Sequence, residues 1–155
     1  MKTFKQLVFE HGKSINEIMP WDLERKLSGK HRPLVLDIRE PEEFAAMHIP
    51  DSVNVPRGVL EAACDYGYSE TVPELVEARK DEIVVACRSG NRSVLAAYTM
   101  QLMGYEKVFS LKTGLKGWND YEQVLVDRNN NRVELDRAEA CLSPVPAPGQ
   151  REPEQ

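Results

Sequence analysis

Residues Ile83-Val84-Val85-Ala86-Cys87-Arg88-Ser89-Gly90-Asn91-Arg92-Ser93 decide the fold. The first four form a continuous apolar run, the pattern of a strand buried on both faces. Ser89, Gly90 and Asn91 are turn formers. Beyond them, Leu95, Tyr98, Thr99, Leu102 and Met103 recur at spacings of three and four, which predicts a helix. Cys87 is therefore placed where a buried parallel strand gives way to a helix N-terminus, the position at which open α/β sheets bind ligands.

That position has a definite chemistry. Residues 88–92 can curl so that successive backbone N–H groups point inward, a concave anion site. The following helix adds free N–H groups and the positive end of its dipole. Arg88 and Arg92 add two full charges. A free thiol titrates near ~8.5. Helix N-termini and neighbouring cations lower that value to roughly 3.5–7.5. A fall of two units corresponds to about 2.7 kcal/mol in favour of the thiolate. Cysteine at the end of an apolar strand also fits a small buried hydrophobe. The arginines, the glycine and the immediate helix start favour a pre-ionised nucleophile in an anion-binding cup.

Working outward, Leu34-Val35-Leu36-Asp37-Ile38 is a second buried strand, with Asp37 on the same rim as Cys87. Val53-Asn54-Val55 and Lys107-Val108-Phe109-Ser110 are two more, and residues 14–20 read as a short edge strand stopped by Pro20. Helices are expected over 21–27, with Trp21 in the core, after Pro41, in parts of 57–80, and from Ser93 to a C-cap at Gly104. Residues 1–14 are an N-terminal extension in which Phe4, Leu7 and Val8 have helical spacing. Cys64 reads as a packed helix residue. The alternation predicts an α/β fold: a central, mainly parallel sheet of about five strands with helices on both faces. Residues 15–122 form this domain. Residues 123–142 are an arm or hairpin turning at Asn129-Asn130-Asn131, and 143–155 are an extended, disordered Pro-rich tail.

Composition narrows the partners. The chain has 155 residues, 41% hydrophobic and 29% charged, and a net charge of −5. This is an ordinary globular composition, and the acidic balance argues against non-specific nucleic-acid binding. No run approaches membrane-spanning length, and the start lacks the apolar core of a secretory signal. Three cysteines, Cys64, Cys87 and Cys141, have no paired metal-site spacing, so no metal or other cofactor is expected. A reducing, cytoplasmic setting is the default. Cys141 is expected to be an inert exposed thiol rather than a relay.

Four stretches in order resemble the rhodanese-type sulfurtransferases. They are Asp37-Ile38-Arg39-Glu40-Pro41-Glu42-Glu43-Phe44, then His48-Ile49-Pro50 with Asn54-Val55-Pro56, the loop from Cys87 to Ser93, and Thr113-Gly114-Leu115-Lys116-Gly117-Trp118. The resemblance covers roughly residues 15–121. It implies a rhodanese-like fold and a Cys87 nucleophile that forms a persulfide, with residues Arg88, Ser89, Gly90, Asn91, Arg92 and Ser93 binding substrate. Asp37 and Arg39 would hold neighbouring loops, and Glu43 would pair with Arg92 beneath the active loop. His48 would be structural, because sulfur transfer to a thiolate needs no proton abstraction from the nucleophile. The sequence departs from the family pattern at Met47, Asp51 and Thr113, where glycine is usual.

The function implied is transfer of sulfane sulfur from a small anionic donor such as thiosulfate, or from a persulfide, to a thiophilic acceptor. A sulfur carrier or relay that discharges only to a protein partner, such as a small sulfur-carrier protein, needs the same site. A phosphatase or arsenate reductase on this scaffold is disfavoured. Those relatives carry Cys-x5-Arg, whereas Cys87 to Arg92 is Cys-x4-Arg, one residue shorter and better sized for a single sulfur atom. Oligomeric state is not legible.

Overall fold

The computed structural model describes residues 1–154. Five strands form one sheet: β1 Asn16–Ile18, β2 Leu34–Asp37, β3 Val53–Asn54, β4 Glu82–Ala86 and β5 Lys107–Leu111. Their order is β1-β5-β4-β2-β3, and every neighbouring pair is parallel. The expected α/β architecture is present, with β4 at the centre. Parallel strands need covered faces, and β4 supplies apolar side chains to both. Ile83 and Val85 enter one core with Leu36, Val94, Met100 and Val108. Val84 and Ala86 enter the other with Val35, Leu111, Leu115 and Trp118.

The first face is covered by α1 Phe4–Gly12, the short α4 Leu60–Ala63 and α5 Pro73–Val76, and α6 Arg92–Leu102. The second is covered by α2 Pro20–Leu27, α7 Gly114–Asp120 and α8 Leu135–Leu142, with α3 Pro41–Ala46 beside the rim. A Thr3–Gln6 capping box starts α1, and the His11 ring lies tilted against Tyr98 of α6, with centroids 4.2 Å apart. The N-terminal extension is thereby fixed against α6.

Two expectations are corrected. Trp21 is not core: it is 42% exposed and rests edge-on against Tyr121, because Leu23 takes the inward position on α2. Helix is present in parts of 57–80 as expected, as one 3-10 turn and the four-residue α4 and α5. Leu135, read as the end of a hairpin strand, starts α8 instead. Ala138 and Leu142, four apart, bury themselves in the second core. The turn ahead of it is real: Val126 bridges Arg132 and also pairs with His48, and Asp127 caps the amides of Asn129 and Asn131. The tail includes a 3-10 turn at Pro148–Gln150.

Candidate active site

Cys87 follows the last residue of β4 and is 1% exposed. Its Sγ accepts hydrogen bonds from the backbone N–H of Gly90 at 3.2 Å and of Ser93 at 3.3 Å. Asn91, the N-cap of α6, makes no side-chain cap. The sulfur takes one of the orphan helix amides that a capping oxygen would ordinarily satisfy. The anion-favouring end of α6 is thus aimed at sulfur. Among the described residues, nothing accepts a hydrogen bond from the amides of Arg88, Ser89, Asn91 or Arg92. Four further amides of the loop are therefore unpaired.

Gly90 has φ +90°, and a Cβ there would meet the Thr113 amide nitrogen at 2.9 Å. The loop is clamped from the other side by α7. Leu115 donates its N–H to Cys87 O at 2.9 Å, and Lys116 donates to Arg88 O at 3.0 Å. This approach requires glycine at 114, where φ is +61° and a Cβ would lie 2.5 Å from the carbonyl oxygens of Cys87 and Arg88. Two of the three positions where glycine was expected but absent, Asp51 and Thr113, hold left-handed φ values of 64° and 67°. Met47 is extended and fully buried, so its side chain serves the core.

The supporting residues form two ion pairs. Arg39 and Asp37 are both buried, 2% and 1% exposed. The Arg39 Nε donates to Asp37 Oδ1 at 3.0 Å and its Nη2 donates to Asp37 Oδ2 at 2.8 Å. Nη2 also donates to Met47 O at 2.6 Å, tying the end of β2 to the exit of α3. Glu43, from α3, accepts both Nη1 and Nη2 of Arg92 at 3.0 Å. Burial pushes the Glu43 carboxyl up, but the Arg92 hydrogen bonds, the Glu40 amide and the charges of Arg92 and Arg39 hold it below its ordinary value. The Glu43 hydrogen bond in turn raises Arg92. Arg92 thus braces the loop, while half-buried Arg88 is the loop cation without such a partner among the described residues. His48 donates its Nδ1–H to Phe44 O at 2.8 Å, and its ring stacks on the Phe44 ring.

Two openings flank the loop. One, about 450 Å³, lies between α1 and the loop and is bordered by Val8, Phe9, Lys13, Ser89, Gly90 and Lys112. The other, about 320 Å³, lies towards α8 and is bordered by Arg39, Glu42, Arg88 and the exposed Cys141. Cys64 is buried at the end of α4, and burial pushes its thiol up. Among the described residues no cluster of three or more His, Cys, Asp or Glu side chains stands ready to hold a metal ion. None of the described helices is long and apolar enough to cross a membrane.

One site residue escaped sequence reading. Ser110 of β5 is fully buried, and its Oγ lies 2.7 Å from Ser93 Oγ, which lies 3.3 Å from Cys87 Sγ. Its signal was a hydroxyl inside an otherwise buried strand, registered opposite Val85.

A model of the rhodanese-like domain matches residues 20–121. A Bacillus subtilis protein provisionally named a sulfur carrier protein is 36% identical over 109 residues, covering 70% of this chain and 54% of the relative. This chain thus spans about half the length of that relative. A protein of Allochromatium vinosum named sulfurtransferase is 35% identical over 106 residues, covering 67% of this chain and 88% of the relative. Among solved structures, a Rhodopseudomonas palustris protein of unknown function, named a possible tyrosine phosphatase, superposes with a TM-score of 0.71 at 30% identity. The match covers 79% of this chain and 93% of that one. Helices α1 and α8 lie outside the matched family region.

Proposed function

The chain belongs to the rhodanese-like domain family, and on that premise we propose that it transfers sulfane sulfur through a persulfide on Cys87. The Cys87 thiolate attacks the outer sulfur of thiosulfate or of another persulfide donor. The donor's S–S bond breaks, its electron pair leaves with sulfite or the donor thiolate, and a Cys87 persulfide remains. A thiophilic acceptor then attacks the outer sulfur. The second S–S bond breaks, and its electron pair returns to Cys87 as thiolate. This is two-step covalent catalysis.

The observation that carries the reading is the cup around Sγ. Two amides already point at the sulfur, and those of Arg88, Ser89, Asn91 and Arg92 are available to the outer, negatively charged atom. Preorganised donors of this kind stabilise developing charge without reorganising. Arg88 attracts the anionic donor; Arg92, held by Glu43, maintains the loop.

The opening beside α1 favours a second reading for the acceptor half of the reaction. A cleft of about 450 Å³ falls in the range of sites for organic ligands and exceeds what thiosulfate, with its five atoms, fills. A larger thiol or the end of a small sulfur-carrier protein suits it better than cyanide. A phosphatase reading is disfavoured by the Cys-x4-Arg spacing and by the engagement of the Arg92 guanidinium with Glu43. We place the reaction in the reducing cytoplasm, where a persulfide and its thiol acceptors persist.

The test is thiocyanate release from thiosulfate and cyanide by wild type and Cys87→Ser, with an aryl phosphate as parallel substrate. Thiocyanate formation that requires Cys87 supports the reading. Aryl phosphate hydrolysis without sulfur transfer overturns it.

A further inference from the structure

We propose that Ser110 is a positioning residue: with Ser93 it forms a reversible two-hydroxyl chain that fixes a donor on the Cys87 sulfur whenever that sulfur is anionic. The inference deepens the reading of Cys87 as nucleophile and rests on it. Three polar atoms line up in the interior, Ser110 Oγ, Ser93 Oγ and Cys87 Sγ, separated by 2.7 and 3.3 Å. All three residues are at most 1% exposed, so bulk water does not compete for their protons.

The two directions of the chain are not equivalent. With a thiol, Cys87 S–H donates to Ser93 Oγ, Ser93 O–H donates to Ser110 Oγ, and the Ser110 proton finds no other acceptor among the described residues. With a thiolate, Ser110 O–H donates to Ser93 Oγ and Ser93 O–H donates to sulfur. Both hydroxyl protons are then used, and Sγ gains a third donor beside the Gly90 and Ser93 amides. A buried hydroxyl without a partner is costly, whereas a hydrogen bond to an ionised group is among the strong ones. Ser110 therefore biases the chain towards the anionic sulfur. The same bias acts in the second transfer step, where Cys87 leaves as thiolate. It originates on β5, the strand beside β4, and reaches the sulfur through Ser93.

The test compares Ser110→Thr with Ser110→Val, which match in shape and differ in the hydroxyl. The background is Cys141→Ser, so that the exposed thiol does not react. Alkylation of Cys87 by iodoacetamide is followed against pH. Arg88 and Arg92 on the loop, Glu43 on α3 and the Asp37–Arg39 pair at β2 are unchanged in both variants. The expected result is a Ser110→Val profile displaced upward by about 0.5 to 1 pH unit relative to Ser110→Thr, a roughly three- to tenfold smaller reactive fraction on the rising limb. Superposed profiles overturn the proposal. If sulfur loading fails in wild type while the two profiles still separate, the transfer reading falls and the hydroxyl chain stands.

Discussion

The Arg92 guanidinium meets the Glu43 carboxylate in two hydrogen bonds of 3.0 Å, so the second arginine of the Cys87 loop is a brace rather than a free cation. This joins the first residue of α6 to α3, across the mouth of the sheet. The loop's shape therefore depends on an ion pair that titrates.

Glu43→Gln is predicted to lower stability by about 1 kcal/mol at neutral pH, the scale of a partly exposed pair with good geometry. That is a fall of roughly 2–4 °C in melting temperature for a chain of this size. The pH dependence has a definite sign. The Glu43 carboxyl is held below its ordinary value, so its contribution is present above the unfolded-state value, near ~4.3, and is lost as pH falls through the folded one. Thermal melts between pH 7 and 3 should show wild type losing its advantage over Glu43→Gln only in the acid range. A constant gap at every pH contradicts this.

Arg39→Met removes one member of a buried pair and leaves Asp37 without its guanidinium. The expected cost is about 3–5 kcal/mol. The double variant Asp37→Leu/Arg39→Met should cost less than the sum of the single variants, because no uncompensated charge remains. Urea unfolding of the four proteins gives the coupling directly. Additive losses would mean that the two side chains do not act as a unit.

Gly114→Ala places a methyl against two carbonyl oxygens at a left-handed φ. A loss of at least about 3 kcal/mol is expected, from steric overlap and backbone strain together. Sulfur transfer should fall with it, because the Cys87 and Arg88 carbonyls must move. A variant as stable as wild type would show that the α7 clamp yields freely.

Thr113→Gly runs the other way. Thr113 is β-branched at φ +67°, where glycine is the easier residue. The substitution should raise stability by about 0.5–1 kcal/mol, read as a higher denaturant midpoint with unchanged slope.

Much of this was legible in the sequence because the signals were local. The apolar run before Cys87, the turn residues after it and the three-four spacing beyond fixed strand, loop and helix without tertiary information. The Glu43–Arg92 pair was legible only through family resemblance, since no spacing rule links residues 49 apart. Ser110 was missed because it lies in the neighbouring strand, and only sheet register brings it to Ser93. Helix α8 was missed because residues 133–135 read as a β-branched and apolar strand end, while its burial at Ala138 and Leu142 comes from packing on α7 and the second core. Trp21 was misplaced because hydrophobicity says nothing about which side of a two-turn helix faces inward.

The most direct test of the account is the intact mass of wild type and Cys87→Ser after incubation with thiosulfate. The account predicts a gain of one sulfur atom on wild type alone, removed by cyanide. No gain from thiosulfate or from a persulfide donor, or an equal gain on Cys87→Ser, would contradict it.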